Sequence, residues 1–269
     1  MSEIRRTRFA RDIVAEFLPP AAPPPADSAG RAAGGRTPLK PPRKVIIFCG
    51  GMPSVPKKDA LLRRFSAKGY WVFLPRYRGS WESGGEFLKI SPHQDILDII
   101  DQLPLGFHDL FSGEKIKIKP EKLFVIGNSF GGPAALLVSG DRRVTKVVAI
   151  SPVIDWRYPS RDEPPEKLVP FVREAFGAGY RGWEKHWRKL FTGKFYNPIN
   201  NISRVSGRKI LIIHAQDDHV CSIIPVRKFS RLTCCRQVIL KRGGHLGASV
   251  LIRRQEIHKK VISFLKSKP

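Results

Sequence analysis

A serine hydroxyl becomes a nucleophile when a base takes its proton and a carboxylate orients that base. The serine with the most telling surroundings in this 269-residue chain is Ser129, in the run Gly127-Asn128-Ser129-Phe130-Gly131-Gly132. An apolar stretch, Leu123–Ile126, precedes it, and a small-residue, helix-like stretch from Pro133 to Val138 follows. Strand, Gly-x-Ser-x-Gly and helix in that order form a nucleophile elbow. Side chains two places before and after the serine would strike neighbouring backbone in so tight a turn, hence the glycines at 127 and 131. A serine at a helix N-terminus also meets free N–H groups, which favour an oxyanion.

The base and acid should come from loops that follow later strands. Ile210–His214 reads as a strand and runs into Ala215-Gln216-Asp217-Asp218-His219-Val220. Gln237–Lys241 reads as another and runs into Gly243-Gly244-His245. The chain order is therefore Ser, Asp, His, with His245 placed as base and Asp217 or Asp218 as acid. His214 ends a buried strand and reads as a hydrogen-bonded core residue, and His219 as a surface residue. His93, His108, His186 and His258 carry no motif.

Those loops need a sheet to hold them. Val45–Cys49 is a continuous apolar run, the mark of a parallel strand covered on both faces. Tyr70–Leu74, Leu123–Ile126, Lys146–Ile150, Ile210–His214 and Gln237–Lys241 follow as strands. Helical patterns intervene at Asp59–Lys68 and from Ser91-Pro92 to Leu103, and Arg253–Lys266 closes the chain. The predicted fold class is α/β, a mainly parallel sheet with helices on both faces, over residues 43–269. The 58 residues from Pro152 to Lys209 exceed what one crossover needs. They are predicted to form a small helical cap insertion (152–209) over the ligand crevice. Of the cap's aromatics, Trp156, Trp183 and Trp187 are the predicted substrate contacts. Residues 1–18 are predicted as an amphipathic helix, on the apolar positions Ile4, Phe9, Ile13, Val14, Phe17 and Leu18. Residues 19–42, rich in Pro, Ala and Gly, are predicted as a flexible linker.

The formal charge is +25, from 48 Lys+Arg against 23 Asp+Glu. Such a field draws anions non-specifically, yet the basic residues are spread along the chain without a nucleic-acid-binding motif. No apolar run reaches the roughly 20 residues that span a bilayer, and no secretory signal is visible. Cys49, Cys221, Cys234 and Cys235 have neither metal nor disulfide spacing, and the expected location is cytoplasmic.

The chain resembles the α/β-hydrolase fold, and within it the catalytic domain of the prolyl oligopeptidase family, over about residues 44–266. Gly127-Asn128-Ser129-Phe130-Gly131-Gly132 is similar to that family's Gly-x-Ser-Tyr-Gly-Gly. Pro75-Arg76-Tyr77-Arg78-Gly79-Ser80 is similar to its Asn-x-Arg-Gly-Ser, and Asn197-Pro198-Ile199 to its Ser-Pro-Ile. Ser151-Pro152-Val153-Ile154-Asp155-Trp156 looks like the segment entering the cap. The resemblance implies Ser129 as nucleophile, His245 as general base and Asp218 as acid, with Asp217 the fallback. It also implies an oxyanion hole from the Phe130 N–H and a backbone N–H of Gly50 or Gly51, since Cys49 stands where some members place a tyrosine. Residues 1–42 are too few for the family's β-propeller, so a propeller-less form is expected.

The expected activity is a serine hydrolase cleaving a peptide or ester bond through an acyl-enzyme, peptides ahead of carboxylic esters and thioesters. No metal or cofactor is called for. The rival from another class is a basic protein that binds nucleic acid or anionic membrane on a hydrolase scaffold.

Overall fold

The computed structural model describes residues 3–21 and 43–267. It begins with two strands where a helix was predicted: β1 (Arg5–Phe9) and β2 (Ile13–Leu18), paired antiparallel with Phe9 opposite Ile13. Period-2 placement explains them. Thr7 and Phe9 point inward and Arg8 outward, while β2 is buried along nearly its whole length. A surface helix would expose half of the positions that β2 buries, and β2 instead lies antiparallel beside β4 (Tyr70–Pro75). The hairpin is thus part of the main sheet, and the domain starts well before residue 43. Of the predicted linker, only residues 19–21 are described, and Ala21 N donates to Ser66 O at 3.0 Å. Residues 22–42 lie outside the described residues.

After β3 (Lys44–Cys49) come α1 (Asp59–Ser66), β4 and α2 (Pro92–Gln102). A short side ribbon follows, β5 (Phe107–His108) with β6 (Lys115–Ile116), then β7 (Lys122–Asn128), α3 (Gly131–Leu137) and β8 (Val144–Ile150). The cap contains α4 (Pro165–Phe176) and α5 (Glu184–Arg188) joined by short helical turns. The chain then completes the sheet with β9 (Ile210–Ala215), α6 (Ile223–Thr233), β10 (Arg236–Leu240), α7 (Val250–Arg253) and α8 (Gln255–Lys266).

The eight-stranded order is β1-β2-β4-β3-β7-β8-β9-β10, parallel from β4 onward. Alternate side chains of each central strand enter opposite cores, which is why these strands read as unbroken apolar runs. On β3, Val45, Ile47 and Cys49 face α2, α3 and α6, while Ile46 and Phe48 face α1, α7 and α8. This is the predicted α/β class, and it delivers the C-terminal ends of β3, β7, β9 and β10 to one edge of the sheet. No helix among the described residues is long and apolar enough to cross a membrane.

The hairpin's place in the core has a measurable consequence. Phe17 is fully buried and its ring lies 5.7 Å from Phe73 and 5.4 Å from Phe107. Phe17→Ala is expected to destabilise the domain by about 3–5 kcal/mol in denaturant titration, whereas a peripheral helix would yield far less.

His258 carries a pH dependence. Its ring is buried on α8, 5.6 Å from that of Phe65, and its Nδ1 accepts from Arg64 Nε at 3.2 Å, so the native imidazole is neutral. Burial, then the charges of Arg64 and Lys68, bring its pKa from the ordinary 6.5 down to about 4. The unfolded chain therefore binds this proton first, and stability falls as pH drops from about 6.5 towards 4. Thermal melts across that window should show the fall, and His258→Gln should make it shallower, His93, His186 and His214 being lowered in the same direction.

Candidate active site

β7 ends at Asn128, and Ser129 sits at φ +51°, in the left-handed region that side chains other than glycine avoid. Its N–H donates to Ile150 O of β8 at 2.9 Å, and its carbonyl accepts from Gly132 N at 2.9 Å. The tightness explains the glycines. A Cβ at 127 would stand 2.2 Å from Gly131 O, and one at 131 would stand 2.1 Å from Cys49 O. The cap braces the turn: Tyr196 Oη donates to Phe130 O at 2.6 Å and accepts from Ala134 N at 3.1 Å.

The loop after β10 carries His245. Gly244 takes φ +57°, and the N–H groups of Gly243 and Gly244 each donate to Asp217 Oδ1 at 2.9 Å. Leu246 N donates to Ser151 Oγ at 3.0 Å, fixing the other side of the histidine. His245 Nδ1 lies 3.0 Å from Asp218 Oδ2 and 3.2 Å from Oδ1. A carboxylate only accepts, so Nδ1 carries the proton and Nε2 is left as the basic nitrogen.

Asp217 and Asp218 thus hold different things. Asp218 is buried, and its Oδ1 also accepts from Val220 N at 3.0 Å and Cys221 N at 2.8 Å. Burial pushes its carboxyl up, but the hydrogen bond and charge of His245 and the Cys221 N–H outweigh this, so its pKa is lowered. Asp217 is also lowered, chiefly by the Gly244 N–H, while touching the histidine loop's backbone. His214 is fully buried, with Nε2 2.8 Å from Cys221 O and 3.7 Å from Asp218 Oδ2, behind the acid.

Ser129 stands between two hollows. The larger, about 860 Å³, is lined by Gly51, Ser129, His245, Glu163, Phe171 and Phe176, with Lys57 and Lys58 among its other residues. The smaller, about 60 Å³, is lined by Ser129, Phe130, Met52, Val153, Trp156 and Leu168, with Glu163 again present. Gly51 approaches so closely that a Cβ there would meet Ser129 Cβ at 3.3 Å. Gly50 lines neither hollow, and its carbonyl accepts from Tyr77 Oη at 3.1 Å.

Of the three predicted substrate-contact tryptophans, Trp156 alone reaches a hollow beside Ser129. Trp187 is 1% exposed and packs its ring 5.2 Å from that of Phe87, so it fastens the cap to the body. Trp183 is 67% exposed and lines a shallow surface depression with Gly85, Glu86 and Arg181. Burial removes Trp187, and its surface position Trp183, from the predicted substrate contacts. The cap residues that do face Ser129's larger hollow are Phe171, Phe176 and Glu163.

The model of the prolyl oligopeptidase family matches residues 58–268. The chain belongs to the prolyl oligopeptidase family. Among solved structures, it is similar to an acylaminoacyl peptidase of Pyrococcus horikoshii, at 18% identity and a TM-score of 0.63. The alignment covers 99% of this chain and 42% of that one, so the chain spans about two fifths of the peptidase. It is also similar to an esterase of Pyrococcus furiosus, at 16% identity and a TM-score of 0.64, covering 98% of this chain and 89% of that one. These likenesses establish the α/β-hydrolase fold. No functionally curated protein matches the chain.

Proposed function

We propose that this family member hydrolyses acyl bonds with Ser129 as nucleophile, His245 as general base and Asp218 as the carboxylate that fixes the imidazole. The observation that carries this reading is the joint placement of Ser129 and His245 on one cavity, with His245 Nδ1 3.0 Å from Asp218. Ser129 Oγ bonds to the substrate carbonyl carbon as its proton passes to His245 Nε2. The oxyanion takes hydrogen bonds from the N–H groups of Phe130 and Gly51. Collapse of the adduct breaks the bond to the leaving group, which receives the proton from His245. A water then gives its proton to His245, attacks the acyl-enzyme, and Ser129 is regenerated.

The proton path assigns the two hollows. The leaving group must lie on the side of His245, and His245 lines only the larger hollow. The acyl part then enters the smaller one, beside Phe130, where Met52, Val153 and Trp156 offer an apolar wall. Peptides and amides are the favoured substrates, with carboxylic esters second. A panel of p-nitrophenyl esters against aminoacyl p-nitroanilides tests this order. Turnover of anilides is expected, and turnover of esters alone would reassign the chain as an esterase.

The basic surface is proposed to make non-specific anion contacts, and Lys57 and Lys58 bring positive charge to the rim of the larger hollow. Binding to duplex DNA or anionic vesicles should accordingly be weak at physiological salt and vanish steeply above it. A cytoplasmic location is proposed from the four cysteines, which stand as free thiols.

A further inference from the structure

Glu163 sits on the short loop that leads into α4, half-buried, and lines both hollows that flank Ser129. It lies close enough to His245 and Asp218 to interact with both electrostatically. The loop is pinned to the segment that carries the acid. Arg161 N and Asp162 N donate to His219 O at 3.1 and 3.4 Å, and Glu163 N donates to Ser160 Oγ at 3.0 Å. Glu163 is therefore held in a set position relative to His245 and Asp218.

Its carboxylate makes no ion pair with a lysine or arginine among the described residues. Asp155, which lines the smaller hollow, differs: it is bound by Arg157 at 3.2 Å and Asn197 at 3.1 Å. Withdrawing an unpartnered carboxylate from water is unfavourable, and a cation arriving beside it offsets that cost. Burial pushes the Glu163 carboxyl up, as expected of a carboxylate without a cation. Among the described residues, no other acidic side chain lines both hollows.

We infer that Glu163 is the anchor for an ammonium on the acyl part of the substrate, which makes the preferred substrates amides of amino acids with a free α-amino group. This rests on the reading of Ser129 and of the smaller hollow as the acyl side. At about 60 Å³ that hollow takes a small apolar side chain, with the α-ammonium directed to Glu163.

The test uses the full chain, with alanyl, acetyl-alanyl and acetyl-lysyl p-nitroanilides as substrates and a fluorophosphonate probe as a check on Ser129. Wild type is expected to favour the alanyl over the acetyl-alanyl anilide. In the isosteric Glu163→Gln variant the ratio of their kcat/KM values should fall by about tenfold or more, the scale of one charge-assisted hydrogen bond. Probe labelling should persist in both proteins. A lysyl anilide that is cleaved despite its acetyl group, and loses rate in the variant, keeps Glu163 as the ammonium anchor with the side chain as the source. Preference for acetyl-alanine, or equal losses on both alanyl substrates, overturns the inference alone, and labelling without cleavage of any anilide overturns it together with the preference for peptides over esters. Loss of labelling in Glu163→Gln also overturns it, since the residue would then serve the nucleophile. A wild-type protein that resists the probe overturns the reading of Ser129 beneath it.

Discussion

Ser129→Ala is expected to lower kcat/KM by roughly 10⁵- to 10⁶-fold while leaving the fold intact, the scale seen when the nucleophile of a Ser-His-Asp unit is removed. The reasoning is local. Ser129 holds its backbone at φ +51° through bonds to Ile150 and Gly132 that involve no side-chain atom. Alanine keeps those bonds and the close approaches of Gly127 and Gly131. What disappears is the one atom able to form the acyl bond. The residual rate should reflect only the Phe130 and Gly51 N–H groups and substrate binding. Progress curves on the best substrate from the ester and anilide panel measure the ratio, and circular dichroism checks the fold. A variant retaining a tenth of the wild-type rate would remove Ser129 from the reaction.

Asp218→Asn is expected to cost about 10⁴-fold in kcat, and Asp217→Asn no more than about tenfold. Asparagine at 218 still accepts from Val220 and Cys221 through its carbonyl oxygen. Its NH₂ would then face His245 Nδ1, which must become an acceptor and move the proton to Nε2. A protonated Nε2 cannot take a proton from Ser129, so geometry survives while the chemistry stops. Asparagine at 217 retains an oxygen for the Gly243 and Gly244 N–H groups and leaves the tautomer alone. Steady-state kinetics on both variants decide between the neighbours. A larger loss at 217 than at 218 would reverse the assignment.

The parts of this molecule that were legible beforehand are those where backbone geometry dictates residue type. Gly127 and Gly131 must be glycine because a Cβ would strike main-chain oxygens, and such positions survive in sequence as a spaced pattern. The strand ends were legible because β3, β7, β8 and β9 are covered on both faces and stay apolar throughout. Residues 1–18 misled for the opposite reason. The turn between β1 and β2 places Ala10 and Arg11 at φ 44° and 65° without the glycine or asparagine that normally marks such a turn. Ile13, Val14 and Phe17 fit either periodicity, and pairing of β2 with β4 settled the matter. In the cap, residue type could not say which tryptophan faces Ser129, since Trp187 is buried in the core and Trp183 lies on the surface. Glu163 carried no signal at all, being one acid among the charged and proline residues of 161–165.

The most direct test of the central claim is covalent. Incubation with a fluorophosphonate, followed by digestion and mass mapping, should place a single phosphonyl adduct on the peptide that contains Ser129. Labelling should be lost in Ser129→Ala and slowed severely in Asp218→Asn. An unlabelled wild-type protein, or an adduct on another serine that persists in Ser129→Ala, would contradict the account.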